Sequence, residues 1–269
     1  LERDSVALPL AVQLYTFRNA IGADRAAALA RTAEQGFRSV EPFGIGGFSP
    51  DDAADRLANA KALRALYDQN GLSVVATHAV WSPAAFASVL DEVKTIGTDR
   101  VIAPAPGCIE GHGDAMKSAD GVKAFAGALN EAAAAAEGTG IQVGYHNHEF
   151  EWAKLPDGSY PYDLLVANLD SRVFLEVDVY WAATGLQNPA EVIDKYKERV
   201  QLLHIKDGPA VRGELQVQVG QGSVDNVAAI HAGPRVSHAI IELDECAGDP
   251  FDVAKAGGEW LVAQGEANW

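Results

Sequence analysis

The chain has 269 residues, 48% of them hydrophobic, and carries a formal net charge of −16 with a sequence pI of about 4.7. That acidity opposes attachment to a nucleic-acid backbone, which depends on clustered Lys and Arg, and favours a small-molecule partner. No apolar run is long enough to span a bilayer, and Cys108 and Cys246 lie far apart with no Cys-x-x-Cys motif, so a reducing cytoplasm without membrane attachment is expected.

The N-terminal stretch "LERDSVALPLAVQLY" lacks the charged-then-apolar pattern of a leader. From there the chain alternates short β-branched runs with amphipathic helical segments. Strands are predicted at 10–15, 37–41, 72–78, 100–105, 141–147, 173–179, 200–206 and 238–244. The helical segment "DRAAALARTAEQG" ends on Gly36, and the one starting at Asp51 ends on Gly71, as left-handed C-terminal glycines do. A third helix opens on Ser82 with Pro83 in its first turn. The glycine-rich "GIGGFSP" after the second strand reads as a flexible turn. Because no Gly-x-Gly-x-x-Gly follows the first strand, a dinucleotide fold loses support. Strand–helix repeats over this length predict an α/β fold, a (β/α)8 TIM barrel, with residues 1–269 as one domain.

A barrel of this kind carries its chemistry at the C-terminal strand ends. Alternation along each strand then sorts the residues there. In "VFLEVDV", Glu176 and Asp178 share the face opposite Val173, Leu175, Val177 and Val179. By the same rule His146 and His148, His204 and Lys206, and Glu242 and Asp244 point inward. Four successive strands thus aim ligating groups at one region, where buried charges must pair or hold a metal. Mixed imidazole and carboxylate donors suit Mn²⁺, Zn²⁺, Co²⁺ or Fe²⁺ better than Mg²⁺. Competing structural roles exist for each residue. Glu176 lies deeper than Asp178 and suits an ion pair, and Lys206 suits a structural partner of either Glu176 or Asp178. Asp207 and Asp244 suit helix caps, His112 and His231 the surface, and His238 the wrong end of its strand.

The motifs "VQLYTFR", "GFRSVEPFG", "GYHNHEFEW", "LEVDVYWAATG", "LLHIKDG", "GQGSVD" and "IIELDEC" resemble the xylose-isomerase-like TIM-barrel superfamily, in its sugar phosphate isomerase/epimerase branch, over nearly the whole chain. The resemblance implies a divalent metal, Mn²⁺ first, on Asp178, His204, Glu242 and a strand-five residue, here His146. Many relatives have Glu at that strand-five position. The His form is similar to inosose dehydratase and to lyases of 3-keto sugars. The activity implied is isomerisation or epimerisation of a sugar through proton abstraction next to a carbonyl and a metal-stabilised enediolate. Elimination of a β-substituent from a 3-keto sugar, 3-keto glycoside or inosose is the alternative. Glu242 is the leading base, followed by His148 and Glu151, and Lys206 would stabilise the oxyanion. Gln13, Glu41, His78 and Trp181 are placed to contact substrate. Among charged residues near the mouth only Lys206, Arg18 and Arg212 are cationic, which favours an unphosphorylated sugar or keto sugar. A homo-oligomer fits the resemblance.

Overall fold

The computed structural model describes residues 7–44 and 53–269, so most of the glycine-rich stretch after the second strand lies outside the described residues. Nine parallel strands form a nearly closed barrel: β1 (Leu8–Gln13), β2 (Ser39–Glu41), β3 (Ser73–Val74), β4 (Thr77–His78), β5 (Arg100–Ala103), β6 (Gln142–His146), β7 (Phe174–Asp178), β8 (Val200–Ile205) and β9 (His238–Ile241). Their order is β3-β2-β1-β9-β8-β7-β6-β5-β4. The run predicted as one strand at 72–78 is divided. Its first half pairs with β2 and its second with β5, so the chain itself joins the two edges of the sheet. A tenth strand, β10 (Ala267–Asn268), pairs with the start of β1 and has no strand-like signal in the sequence.

Helical segments surround the sheet and begin where the side chains can cap them. Asp24 accepts from the Ala27 amide ahead of the helix Arg25–Glu34, and Ser82 accepts from Ala85. Gly36, Gly71 and Gly97 follow their helices at positive φ, as the sequence predicts for the first two.

The barrel interior is layered. Ala11, Val75, Ala76, Ile102, Phe174, Leu202 and Ile240 form an apolar floor. Gly144 belongs to this level, because a Cβ there would come within 2.5 Å of the Phe174 ring. Two residues further along the strands, the inward positions are Gln13, His78, His146, Glu176, His204 and Glu242, all buried. Apolar packing therefore ends where the ligating residues begin. Among the described residues no helix is long and apolar enough to cross a membrane.

Candidate metal centre

His146, Asp178, His204 and Glu242 each offer a ligand atom, and those atoms lie within 4.8 Å of one another. All four side chains are buried. Two local devices set them. Asp178 ends β7 and caps the helix Val179–Thr184: its Oδ1 accepts from the Trp181 amide at 2.8 Å, which turns Oδ2 toward the barrel axis. Asn147 stitches the ends of β6 and β7 together, donating to the Asp178 carbonyl at 3.2 Å and accepting from the Asp178 amide at 3.1 Å. The Nε2 atom of His146 lies 3.9 Å from Asp178 Oδ2, and Nδ1 of His204 lies 2.6 Å from Glu242 Oε2.

Lys206 stands beside this group. Its Nζ lies 2.9 Å from Asp178 Oδ2, 2.7 Å from Glu242 Oε2 and 2.7 Å from Asp244 Oδ2. Of the two partners expected for Lys206, it meets Asp178, together with Glu242 and Asp244, and not Glu176. Glu176 instead accepts from histidines through Oε2: His78 Nε2 at 2.7 Å and His146 Nδ1 at 3.1 Å, with His204 Nε2 at 3.2 Å. Glu41 Oε2 accepts from His204 Nε2 at 2.6 Å and from Gln13 Nε2 at 2.9 Å. The cap roles expected for Asp207 and Asp244 are also corrected. Asp207 ties its own loop, accepting from the Gly208, Gly220 and Val224 amides, while Asp244 accepts from Lys206 and Gln216. The helices that follow are capped by Asp225 and Asp249 instead.

The electrostatics are those of a crowded, dry site. Burial, reinforced by Glu176, pushes Glu41 up to about 7. Burial also pushes Asp178 up to about 6, although Lys206 pulls it back. For Glu242 the opposition of burial is outweighed by Lys206 and His204, which hold it well below the usual carboxylate range. Burial works against a charged His204, but Glu176, Glu242 and Glu41 keep it protonated far above the usual imidazole range. Burial and the charge of Lys206 bring His148 down to about 4, so its ring is neutral at pH 7.

These residues fit a divalent transition metal. Asp178, Glu242 and Asp244 surround the one Lys206 ammonium, an excess of carboxylate that a divalent cation would offset. Two imidazole nitrogens and two carboxylate oxygens form a donor set suited to Zn²⁺, Mn²⁺, Co²⁺ or Fe²⁺. Binding would displace the proton from the His204 nitrogen that faces Glu242.

A cavity of about 250 Å³ opens over the group, lined by His78, His146, His148, Glu242 and Asp244 on one side. Tyr15, Phe43, Val80, Pro104 and Ala105 form its apolar wall. None of those five stood out in the sequence, since apolar residues at strand ends look like ordinary core. Of the residues expected to touch substrate, His78 lines the cavity, whereas Gln13 and Glu41 are fully buried beneath it. Trp181 sits to the side, its ring 5.5 Å from Lys206 Nζ. Glu151 lies under the His148 turn. Its oxygens accept from the Tyr145 hydroxyl at 2.5 Å and the His148 amide at 3.0 Å, and burial raises it to about 8. Arg18 is held by Glu245 and the Asp244 carbonyl, and Arg212 pairs with Glu149. His231 is exposed and bonded to Glu266, in line with a surface role.

Similar folds are known. A sugar phosphate isomerase/epimerase from Parabacteroides distasonis ATCC 8503 superposes with a TM-score of 0.78 at 22% identity, over 99% of this chain and 97% of that one. The IolI protein with a bound zinc atom gives 0.68 at 16% identity, over 96% and 99%. The probable 3-DHS dehydratase AsbF of Bacillus anthracis, involved in petrobactin synthesis, gives 0.69 at 12% identity, over 95% and 99%. At these identities the likeness is one of fold. No curated protein sequence matches the chain. Residues 29–232 match the family model described as xylose isomerase-like TIM barrel, more than half of the sequence, and the protein belongs to that family.

Proposed function

We propose that the protein is a divalent-metal-dependent sugar isomerase or epimerase that removes a proton from the carbon next to a carbonyl. The observation that carries this reading is the convergence of His146, Asp178, His204 and Glu242, from four successive strands, on one point at the floor of a cavity. A bound divalent ion would polarise the substrate carbonyl and stabilise the negative charge that develops as the proton leaves. His146, Asp178, His204 and Glu242 would hold the ion, while the buried Lys206 ammonium, set against Asp178, Glu242 and Asp244, adds positive charge beside the place where the oxyanion develops. Glu242 and His148 both line the cavity and are the candidate bases, with Glu242 first. The His148 ring is neutral and lines the cavity, which suits a base. Glu151 holds the His148 turn in place. The apolar wall suits the C–H face of a sugar, and among the described residues no Lys or Arg lines the cavity, which favours an unphosphorylated ketose or 3-keto sugar.

A second reading, elimination of a β-substituent from a 3-keto sugar or inosose, is favoured by one feature. His146 stands where many relatives carry Glu, which removes a carboxylate from the pair that moves the proton in epimerases. Both readings are tested by incubating metal-loaded protein with ketoses and 3-keto sugars in D₂O. Deuterium at the α-carbon of an isomer or epimer supports the first. An unsaturated or cleaved product supports the second, and no exchange into any of these sugars would refute both.

A further inference from the structure

The candidate ligand histidines each have a second ring nitrogen, and both of those nitrogens face a buried carboxylate. His146 directs Nε2 toward Asp178 and Nδ1 toward Glu176, at 3.9 and 3.1 Å. His204 directs Nδ1 toward Glu242 and Nε2 toward Glu41, both at 2.6 Å. The geometry points to Glu41 and Glu176 as positioning residues that fix the tautomer of each metal-binding histidine, so that His146 presents Nε2 and His204 presents Nδ1 to the ion. This inference rests on the metal-centre reading above.

A neutral imidazole carries a hydrogen on one nitrogen and a lone pair on the other. A nearby divalent cation favours the ionised form of Glu41 and Glu176, and an ionised carboxylate only accepts, so the nitrogen facing it takes the hydrogen and the opposite nitrogen is left with its lone pair directed at the metal. Glu176 does this for His146 and also reaches His204. It is braced by His78, which donates to the same oxygen at 2.7 Å. The three rings pack with centroids 4.6 to 5.3 Å apart, so none can turn without displacing the others.

Glu41 is braced from the other side. The Gln13 Oε1 accepts from the Tyr15 amide at 3.1 Å, which leaves Nε2 as the end that meets Glu41. A line of hydrogen bonds therefore runs from backbone through Gln13 and Glu41 to His204. Packing alone does not account for this layer. Glu41 Oε1 and Glu176 Oε1 are buried with no partner among the described residues, and apolar side chains of similar size would fill the space at less expense. Gln13 and Glu41, expected to touch substrate, act here from beneath the ion.

The test uses zinc-loaded, ¹⁵N-labelled protein, because Zn²⁺ is diamagnetic and long-range ¹H–¹⁵N spectra report which histidine nitrogen carries hydrogen. The expected result is hydrogen on Nδ1 of His146 and on Nε2 of His204, with zinc on the opposite nitrogens. Zinc bound through the reverse nitrogens would overturn the inference and leave the metal centre standing. Failure to bind zinc would overturn both. A second arm measures zinc affinity by chelator competition. Glu176→Gln and Glu41→Gln should each weaken binding about 10–100-fold, with Glu176→Ala losing more than Glu176→Gln. Wild-type affinity in both Gln variants would overturn the inference. If a variant fails to fold, the wild-type spectrum still decides.

Discussion

Lys206 is the buried cation of the barrel mouth, and its removal separates structural from metal-related charge. Its Nζ touches three carboxylates at 2.7 to 2.9 Å and the residue is 1% exposed. Lys206→Met keeps the stem volume and deletes the charge. Breaking a buried ion pair from one side costs about 3–5 kcal/mol, because it strands the opposite charge. At about 2–4 °C per kcal/mol for a chain somewhat shorter than this one, melting should fall by about 6–20 °C. That figure applies to protein stripped with chelator. With Zn²⁺ or Mn²⁺ present, the ion supplies positive charge to Asp178 and Glu242, so the loss should shrink to less than half. Thermal unfolding of both proteins, with and without metal, checks this. A variant melting within about 2 °C of wild type in chelator would refute the electrostatic account. So would a loss that metal leaves unchanged.

Other outcomes follow from neighbouring features. Gly144→Ala would place a Cβ 2.5 Å from the Phe174 ring, and overpacking should destabilise the protein by about 1–3 kcal/mol in urea unfolding. Burial and the Arg100 charge bring His238 down to about 4, so the fold prefers its neutral form. The unfolded chain then binds more protons between its ordinary pKa of about 6.5 and that value, and stability is fully present above the window and lost as pH falls through it. His238→Gln should lose less stability than wild type between pH 7 and pH 4, measured by urea titration. Glu151 has the opposite sign: burial raises it to about 8, so the fold holds a proton that the unfolded chain has released, and stability declines as pH rises from about 4.5 to 8. Glu151→Gln should flatten that decline and leave the metal affinity unchanged.

Much of this site could be read from residue alternation. "VFLEVDV" puts Glu176 and Asp178 on one face, and the same parity holds for His146, His204 and Glu242, which do converge. The depth of each residue could not be read that way. Parity tells inside from outside, but the stagger between strands decides which inward residues share a level. Glu41 and Gln13 therefore looked like substrate contacts, although neighbouring rings and the cavity floor cover them. The division of 72–78 was also hidden, because the same β-branched run serves two different neighbours, β2 and β5. Side chains that merely tie loops carry no periodic signal, and two of the three amides that Asp207 accepts from, Gly220 and Val224, lie more than ten residues away in sequence.

The central claim is that four strand ends hold one divalent ion. It is tested most directly by mass-spectrometric metal content of protein purified without chelator, wild type beside His204→Ala. About one equivalent of a transition metal in wild type, lost in the variant, is the predicted result. No metal in wild type, even after reloading with Mn²⁺ and Zn²⁺, would contradict it and leave the buried histidines and carboxylates as a hydrogen-bonded network.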